Sequence, residues 1–396
     1  MTIKILVFVP SQWWGGSFVR FKNVLRRFKK YDVKFISVKI EYQIEQNIMF
    51  TILKLFLSIL RALQNSISLI KRNDIQLIVS PVEHQISVLT AYIASKFTKR
   101  PLCVILNATP LYGFSPNIHN CNQIGTSFKD IYREVLYYTS STIRKIFNAI
   151  AWYLIMKCLR SAYLVPVSPT VLTEITRLGL KDNVLHICLG NGIDYEKIAA
   201  IPAPRGKSID GIFVGNVGRS KGVFDIIKIW KNVVEYIPTA KLGIVCYGDQ
   251  KAIECLIDKI KKEGLEKNII ILSDTWLSQT VVWSFMKQAR LLVHPSYKES
   301  WGLVVAEALA CGLPVVTYDI PAVKLVFGSC SSVIRVKVGD VVEFSRKVVQ
   351  LLTDHKLRNL LSKKGRIWSR RFTWDEVVKK EKLAYEIIIR SYYGRK

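Results

Sequence analysis

The residues best suited to chemistry in this chain are two glutamates, Glu299 and Glu307, with seven residues between them. They lie in the segment H-P-S-Y-K-E-S-W-G-L-V-V-A-E-A-L-A-C-G-L-P-V-V, residues 294–316. The pattern predicts a buried strand that ends at the histidine and proline, a polar loop, and a helix that starts at Leu303 and stops at Gly312. Carboxylates on such a loop and on the following helical turn can accept hydrogen bonds from sugar hydroxyls.

The predicted helix start is also suited to phosphate. The first amides of a helix lack intrahelical acceptors and carry partial positive charge, so they can hold a diphosphate. Glu307, one turn further in, suits a ribose diol, Glu299 can reach a sugar on the other side, and Trp301 is expected to form a wall of the pocket. An ordinary strand, loop and helix without a ligand is the alternative. The expected contacts are Glu299, Ser300, Trp301, Gly302, Leu303, Val304 and Glu307.

The order proline, serine, acid, small residue, aromatic, glycine, followed by the second acid and A-C-G-L-P-V-V, resembles a known signature. It is similar to that of the GT-B retaining glycosyltransferases of the glycogen synthase and mannosyltransferase type, called glycosyltransferase family four. The resemblance implies that Glu307 binds the nucleotide ribose and that Glu299 contacts the hydroxyls of the donor sugar as a catalytic residue. Three further stretches resemble the family: V-S-P-T-V-L-T-E-I (167–175), G-N-G-I-D (190–194) and R-F-T-W-D (371–375).

A second loop supplies positive charge. The stretch F-V-G-N-V-G-R-S-K-G, residues 213–222, resembles the family's strand and loop that clamp the donor diphosphate, which implies donor contacts at Gly215 and Asn216 and a catalytic phosphate contact at Lys221. The family's usual arginine is replaced by Asn216, and the loss of a bidentate phosphate ligand weakens binding by about 1.5 to 3 kcal/mol unless it is compensated. Arg219 either takes over that catalytic contact or is a solvated loop cation.

The N-terminal half matches the family more loosely. Gly15 and Gly16 follow the first apolar run in W-W-G-G-S, where small residues approach the donor phosphates in the family; a plain turn is the alternative. The family's histidine after a middle strand of this half is replaced by Asn107. His84 is the other candidate on the acceptor side, or else a residue that only begins a helix.

By this resemblance the chain moves a hexose from a nucleotide-diphosphate sugar to a glycan or lipid-linked acceptor, with retention of anomeric configuration. The nucleotide sugar is a co-substrate; no cofactor and no metal are expected, because no acidic D-x-D pair stands at a strand end. Two rivals remain open. One is another GT-B enzyme, a sugar phosphorylase or a nucleotide-sugar epimerase, and the other is a basic nucleic-acid-binding α/β protein, which lacks any recognised DNA or RNA motif.

The elements that position these residues alternate along the whole chain. Short β-branched runs at 4–10, 33–38, 75–80 and 102–107 and a second series from Asp210 onward are separated by amphipathic stretches, which is typical of parallel α/β sheets. In the first such stretch, Phe18, Val24 and Phe28 belong to an apolar stripe, and the Arg and Lys residues between form a basic polar face. The resemblance implies the GT-B architecture: two Rossmann-like parallel-sheet domains that face each other across a cleft.

A chain of 396 residues, half of them hydrophobic, has room for two such domains. We expect an N-terminal acceptor-side domain at 1–189, a C-terminal donor-binding domain at 190–371, and a closing helix at 372–396 that packs back on the first domain. The boundary falls near Gly190, in the Gly- and Pro-rich stretch 186–207.

The charge predicts a negatively charged partner, since 58 Lys and Arg against 30 Asp and Glu give a net charge of +28. Together with the family resemblance this favours an anionic membrane face over nucleic acid. No secretory signal or spanning segment is evident, and the eight cysteines include no C-x-x-C pair, so we expect a cytoplasmic, peripherally membrane-bound protein. The segment Met49 to Ile70 is either a core-facing helix or a basic amphipathic helix on the membrane surface.

Overall fold

The structure, a computed structural model, describes residues 2–10, 16–40, 48–108, 142–202, 204, 206–248 and 250–394. The chain forms two compact units: an N-terminal unit of Met1–Gly192 together with Trp374–Lys396, and a C-terminal unit of Ile193–Thr373. The predicted connection at 186–207 is not wholly irregular, because it contains the short helix Tyr195–Ala200.

The N-terminal unit is a five-stranded parallel sheet with helices between its strands. Its strands are β1 (Ile3–Pro10), β2 (Val33–Ile40), β3 (Leu77–Ser80), β4 (Leu102–Leu106) and β5 (Tyr163–Pro166). Its helices are α1 (Gly16–Phe28), α2 (Ile48–Asn73), α3 (Gln85–Thr98), α4 (Thr142–Arg160), α5 (Pro169–Arg177) and, at the end of the chain, α14 (Trp374–Tyr393).

The strands lie in the order β2-β1-β3-β4-β5, and Ile5 of β1 pairs with Phe35 on one side and Leu77 on the other. The short strands β3 and β4 are buried along their whole length, which explains why they are continuous apolar runs. The strand order reverses between β1 and β3, and ligands of open α/β sheets bind beyond the carboxyl ends of the strands at such a reversal. Gly16 after β1 and His84 after β3 lie at this edge.

Helices α2, α3 and α4 pack side by side in one layer over the sheet. Their inward residues, such as Ile70, Ala91 and Ile155, share a core with Leu6 and Val104 of the strands. The segment predicted at Met49 to Ile70 is therefore a helix whose inner side faces the core. Its outer side carries exposed apolar residues.

Helix α1 contacts the C-terminal helix α14 through a buried ion pair. Arg20 donates to Glu381 over 2.5 Å, with side chains only 2% and 3% exposed, and the second Glu381 oxygen accepts from Tyr385 over 2.5 Å. The guanidinium also lies 3.4 Å from the carbonyl of Gly190. Arg20 of the basic face predicted for α1 is therefore buried, because α14 supplies a carboxylate from a position 361 residues away.

The C-terminal unit is a six-stranded parallel sheet. Its strands are β6 (Ile209–Asn216), β7 (Leu242–Tyr247), β8 (Ile269–Ser273), β9 (Ala289–His294), β10 (Val315–Tyr318) and β11 (Val333–Val336). Its helices are α6 (Tyr195–Ala200), α7 (Val223–Tyr236), α8 (Gln250–Lys262), α9 (Gln279–Gln288), α10 (Leu303–Ala310), α11 (Pro321–Phe327), α12 (Val341–Thr353) and α13 (His355–Ser369).

The order of this sheet is β8-β7-β6-β9-β10-β11. Counted within the unit it is the doubly wound order 3-2-1-4-5-6, whose reversal lies between β6 and β9. The loops after these two strands carry Lys221 and Glu299, so the topology brings together residues that are 78 positions apart. Both units are Rossmann-like parallel α/β folds, as predicted.

Two further findings concern membrane-spanning helices and the cysteines. Within the described ranges, no helix combines the length and apolar content needed to cross a membrane. The described cysteines, namely Cys103, Cys158, Cys188, Cys246, Cys255, Cys311 and Cys330, are all free thiols.

The buried pair predicts a test of how α14 is held. Replacing Glu381 by Ala leaves the Arg20 guanidinium buried without its carboxylate, which costs about 3 to 5 kcal/mol. We expect the melting temperature of the Glu381→Ala variant to fall by about 5 °C or more in differential scanning calorimetry. The control is Glu386→Ala on the same helix, where the nearest lysine is 3.9 Å away and partly exposed. Equal melting temperatures for the two variants would show that the pair does not hold α14.

Candidate functional site

The loops that follow β6 and β9 touch along their backbones. The amide of Tyr297 donates to the carbonyl of Ser220 over 2.9 Å, and the hydroxyl of Ser296 lies 3.2 Å from the same oxygen. Tyr297 and Tyr318 both donate to one carboxylate oxygen of Asp225 in the first turn of α7, at 2.5 and 2.8 Å. These contacts fix the two loops relative to each other.

Gly222 permits this approach. Its φ is +67°, and a Cβ placed there would lie 1.9 Å from the carbonyl oxygen of Pro295. No other residue fits that space without moving backbone. The glycine therefore places the 3-10 turn Arg219–Lys221 directly against the loop that carries Glu299.

Glu299 is the centre of a polar network. Its Oε1 atom accepts from the Lys221 ammonium over 2.5 Å, lies 3.1 Å from His294 Nε2, and lies 2.9 Å from the Ser296 hydroxyl. Burial alone raises the pKa of Glu299, but the charge of Lys221 and the hydrogen bonds from His294 and Lys221 together hold it well below its usual range. Glu299 is therefore an anion at neutral pH, and its contacts converge on one of its two oxygens.

Glu307 lies in the second turn of α10 in a different environment. It is 5% exposed, and its Oε1 accepts from the side-chain amide of Gln279 over 2.9 Å. Burial raises the pKa of Glu307 to about 7, and the negative charge of Asp194 adds to the rise. The two glutamates of one motif thus differ in ionisation because only Glu299 has a cation beside it.

Helix α10 starts at Leu303, as predicted from the sequence. Gly302 precedes the helix with a φ of +97°, and no side chain caps the helix there. The amides of Val305 and Ala306 both donate to the carbonyl of Gly302. The amides of Leu303 and Val304 come before the first helical hydrogen bond and can donate to a ligand, and both residues are partly exposed.

Trp301 does not lie where the sequence analysis expected it. The side chain is 5% exposed and its ring packs edge-on against Phe372 at 4.9 Å and Phe327 at 5.6 Å. The expected pocket wall is therefore corrected: the indole belongs to an aromatic cluster beneath the loop. It supports the loop from inside, while the neighbouring Ser300 remains partly exposed.

The end of β6 shows what stands in place of the family's arginine. Gly215 is buried and its neighbour Asn216 is half-buried, and the side-chain carbonyl oxygen of Asn216 is buried and has no hydrogen-bond partner among the described residues. A buried amide oxygen without a partner costs stability. The neutral side chain of asparagine also cannot replace the positive charge of an arginine guanidinium. Arg219 follows in the 3-10 turn, and its side chain lies outside the described residues.

In the N-terminal unit, the acceptor-side candidate Asn107 contacts Glu83, which precedes the other candidate, His84, in the sequence. The Asn107 backbone amide donates to Glu83 over 2.9 Å, and the Asn107 side chain donates to the carbonyl of Pro81 over 2.9 Å. Burial lowers the pKa of His84 and raises that of Glu83 to about 7. Gly16 begins α1 beyond the neighbouring strand β1, and Gly15 lies outside the described residues.

Several of these residues were not singled out from the sequence. His294 and Ser296 are part of the motif, but only the structure shows that both contact Glu299. Gln279 and Glu83 carry no local signal, because each reaches its partner from another element. Among the described residues no group of three or more His, Cys, Asp and Glu side chains is placed to hold a metal ion.

Together, a doubly wound sheet, an open helix start and two acids of low exposure at the strand-order reversal form the candidate site. The family model for glycosyl transferases group 1 matches residues 194–368, which is most of the C-terminal unit.

Two glycosyltransferases are similar in sequence to part of this chain. An uncharacterized glycosyltransferase of Methanocaldococcus jannaschii is 27% identical over 177 residues, which cover 44% of this chain and 47% of the relative. The phosphatidyl-myo-inositol mannosyltransferase of Mycobacterium leprae is 26% identical over 208 residues, which cover 51% of this chain and 53% of the relative. The chain thus spans about half the length of these relatives.

Solved structures resemble the chain over nearly its whole length and show the fold to be of the GT-B type. The Anabaena HepE protein in complex with UDP and glucose has a TM-score of 0.67 at 16% identity and covers 98% of this chain and 99% of its own. The sucrose-phosphate synthase of Thermosynechococcus elongatus has a TM-score of 0.72 at 15% identity, with coverage of 98% and 100%.

The raised pKa of Glu307 predicts a pH dependence of stability. A carboxyl with a folded pKa of about 7 and an ordinary value of 4.5 stabilises the fold fully below pH 4.5 and loses that contribution as pH rises through 7. Glu307→Gln keeps the acceptor for Gln279 but cannot ionise. Relative to this variant, we expect the wild type to lose about 3 kcal/mol between pH 4.5 and 8 in urea unfolding. Parallel pH curves for the two proteins would show that Glu307 ionises normally.

Proposed function

We propose that this chain is a glycosyltransferase that moves a hexosyl group from a nucleoside-diphosphate sugar to a glycan or lipid-linked acceptor, with retention of anomeric configuration. The observation that carries the proposal is the position of the Lys221–Glu299 ion pair beside the open start of α10, with Glu307 one turn further along. Each of these groups suits a different part of one donor molecule.

Each part of the donor molecule is assigned to a group at or near the start of α10. The amides of Leu303 and Val304 bind the diphosphate, because a helix start attracts anions and these amides lack intrahelical acceptors. Glu307 binds the ribose hydroxyls with the oxygen that Gln279 does not use and with the remaining lone pair of the other. Glu299 binds hydroxyls of the transferred sugar through Oε2, since the contacts of its network all reach Oε1.

Lys221 has two tasks in this proposal. An ammonium group has three donors, and the bond to Glu299 uses one, so the others can bind the diphosphate. As the bond from sugar to phosphate loosens, negative charge grows on the leaving nucleoside diphosphate, and Lys221 and the helix amides stabilise that charge. Arg219 adds a second positive charge in the role that Asn216 cannot fill. The donor phosphate accepts the proton of the attacking hydroxyl.

Further parts of the proposal rest on composition and resemblance. The reaction needs no metal or cofactor, because lysine and backbone amides supply the positive charge. Glu83, His84 and Asn107 contribute to acceptor binding from the N-terminal unit. The net charge of +28 favours a cytoplasmic protein bound to the anionic membrane face. A related sugar phosphorylase or nucleotide-sugar epimerase would share the donor site, and product analysis distinguishes these from transfer.

Removing the ribose ligand tests the assignment of Glu307. We expect Glu307→Ala to lose binding of UDP or GDP, whichever the wild type binds, by about 100-fold in isothermal titration calorimetry, because two hydrogen bonds to hydroxyls are lost. The control is Glu266→Ala, an exposed acid in the same unit, which should bind as the wild type does. Unchanged affinity in Glu307→Ala would remove the ribose assignment.

Glu299 tests the catalytic half of the proposal. Glu299→Gln keeps the size and one oxygen but removes the charge that faces Lys221. We expect turnover of the donor sugar to fall by about 100-fold or more, whereas nucleoside diphosphate affinity changes by less than about fivefold. The measurement combines product formation by mass spectrometry with calorimetry on the same preparation. Turnover at the wild-type rate would exclude a role at the donor sugar.

A further inference from the structure

We propose that the outer surface of helices α2, α3 and α4 is the surface that docks the protein on an anionic phospholipid membrane. We name it the basic apolar face. It is defined by exposed apolar residues on the three helices: Phe56, Leu57, Leu60, Phe97, Ile150, Tyr153 and Leu154. The inference deepens the proposed function by naming the protein surface for its membrane partner.

Exposed apolar side chains are concentrated on this face. Among the described residues of the N-terminal unit, ten large hydrophobic side chains are exposed, and seven of them lie on these three helices. Phe97 and Tyr153 are 74% and 64% exposed. Single exposed apolar residues are ordinary, but a concentration on adjacent helices marks an interaction surface.

The helices are apolar on both sides, which a core alone does not require. In α4, Trp152 and Ile155 point into the core, whereas Ile150, Tyr153 and Leu154 lie on the opposite, exposed side. Helix α2 repeats this arrangement, with Ala62 and Ile70 buried in the core and its exposed apolar residues on the outer side. Since α2 and α4 both pack against α3, their outer sides belong to one layer.

The positive charge of the basic apolar face indicates an anionic partner. The 26, 14 and 19 residues of α2, α3 and α4 contain no Asp or Glu, whereas the 20 residues of α14 contain four. Exposed cations stand beside the apolar residues, among them Arg61, Lys96 and Lys157. Aromatic and leucine side chains that insert at the lipid boundary, flanked by Lys and Arg that reach headgroup phosphates, are the features by which a helix surface binds anionic bilayers.

A protein partner fits these observations less well. Protein interfaces are depleted of lysine at their centres, and a second copy of this chain would bring the same positive charge to the same face. Anionic lipid satisfies both the apolar and the cationic parts at once. It also brings a lipid-linked acceptor to the N-terminal unit, to which the proposed function assigns acceptor binding.

The first experiment tests the apolar part. The full chain is sedimented with phosphatidylcholine vesicles that contain or lack phosphatidylglycerol. We expect Leu57→Gln/Leu154→Gln to bind the anionic vesicles about tenfold more weakly than the wild type, because two apolar groups no longer leave water. The matched control is Leu383→Gln/Ile387→Gln on α14, where the replaced residues are exposed to a similar extent. The control should bind as the wild type does.

The second experiment tests the charge. Lys96→Gln/Lys157→Gln and Lys363→Gln/Lys364→Gln lower the net charge equally, but the second pair lies on α13 in the C-terminal unit. We expect only the first variant to bind anionic vesicles about tenfold more weakly. Equal losses in both would show that diffuse charge, and not this face, binds lipid.

Two other outcomes would overturn the inference. The wild type would fail to bind anionic vesicles, or it would form a concentration-dependent dimer that Leu57→Gln/Leu154→Gln dissolves, which would assign the face to a second copy. Nucleotide calorimetry on the same variants separates this inference from the proposed function. Normal nucleotide binding without vesicle binding defeats only the docking surface, whereas vesicle binding without nucleotide binding defeats only the donor site.

Discussion

The close approach of the loops after β6 and β9 is the constraint on which the candidate site depends. Gly222 leaves no room for a side chain against Pro295, and the backbone bond from Tyr297 to Ser220 closes the contact. This approach places the Lys221 ammonium on Glu299, so that a buried acid stays ionised. Without the Lys221 ammonium, burial would raise the pKa of Glu299, as it raises the pKa of Glu307 to about 7.

The difference in pKa between the two acids fits the two roles that the proposed function gives them. In the proposed function, ionised Glu299 is held through Oε1 by lysine, histidine and serine and accepts hydroxyl groups of the donor sugar through Oε2. A carboxyl that titrates near neutrality can accept one hydroxyl and donate to another, which suits binding to a ribose diol. One motif therefore supplies two environments, because only its first acid is reached by the loop after β6.

Much of the fold and of the candidate site could be predicted from local sequence. The strands that hold the site, β6 and β9, are mainly apolar runs of eight and six residues, and helix α7 falls at Val223–Tyr236 as its apolar spacing indicates. The short strands β5 and β11 are not predicted by the sequence analysis. The contacts of Arg20, Trp301 and Gln279 could not be predicted from local sequence. Their roles depend on Glu381, Phe372 and Glu307, which lie far away in the sequence.

The N-terminal unit combines two properties on different parts of its surface. Glu83 and His84 follow β3 at the strand-order reversal, and Asn107 at the end of β4 donates to Glu83; these residues form the proposed acceptor side. The outer side of α2, α3 and α4 is positively charged and carries exposed apolar residues. Both properties suit the proposed function, in which the acceptor is a glycan or is linked to a lipid. The three helices of the basic apolar face carry part of the positive charge of the chain.

The most direct test of the central claim is a crystal structure of the chain with the nucleoside diphosphate that raises its melting temperature most. The account predicts the diphosphate on the amides of Leu303 and Val304 and within reach of Lys221, with the ribose hydroxyls on Glu307. A nucleotide bound elsewhere, or bound here with its ribose turned away from Glu307, would contradict it.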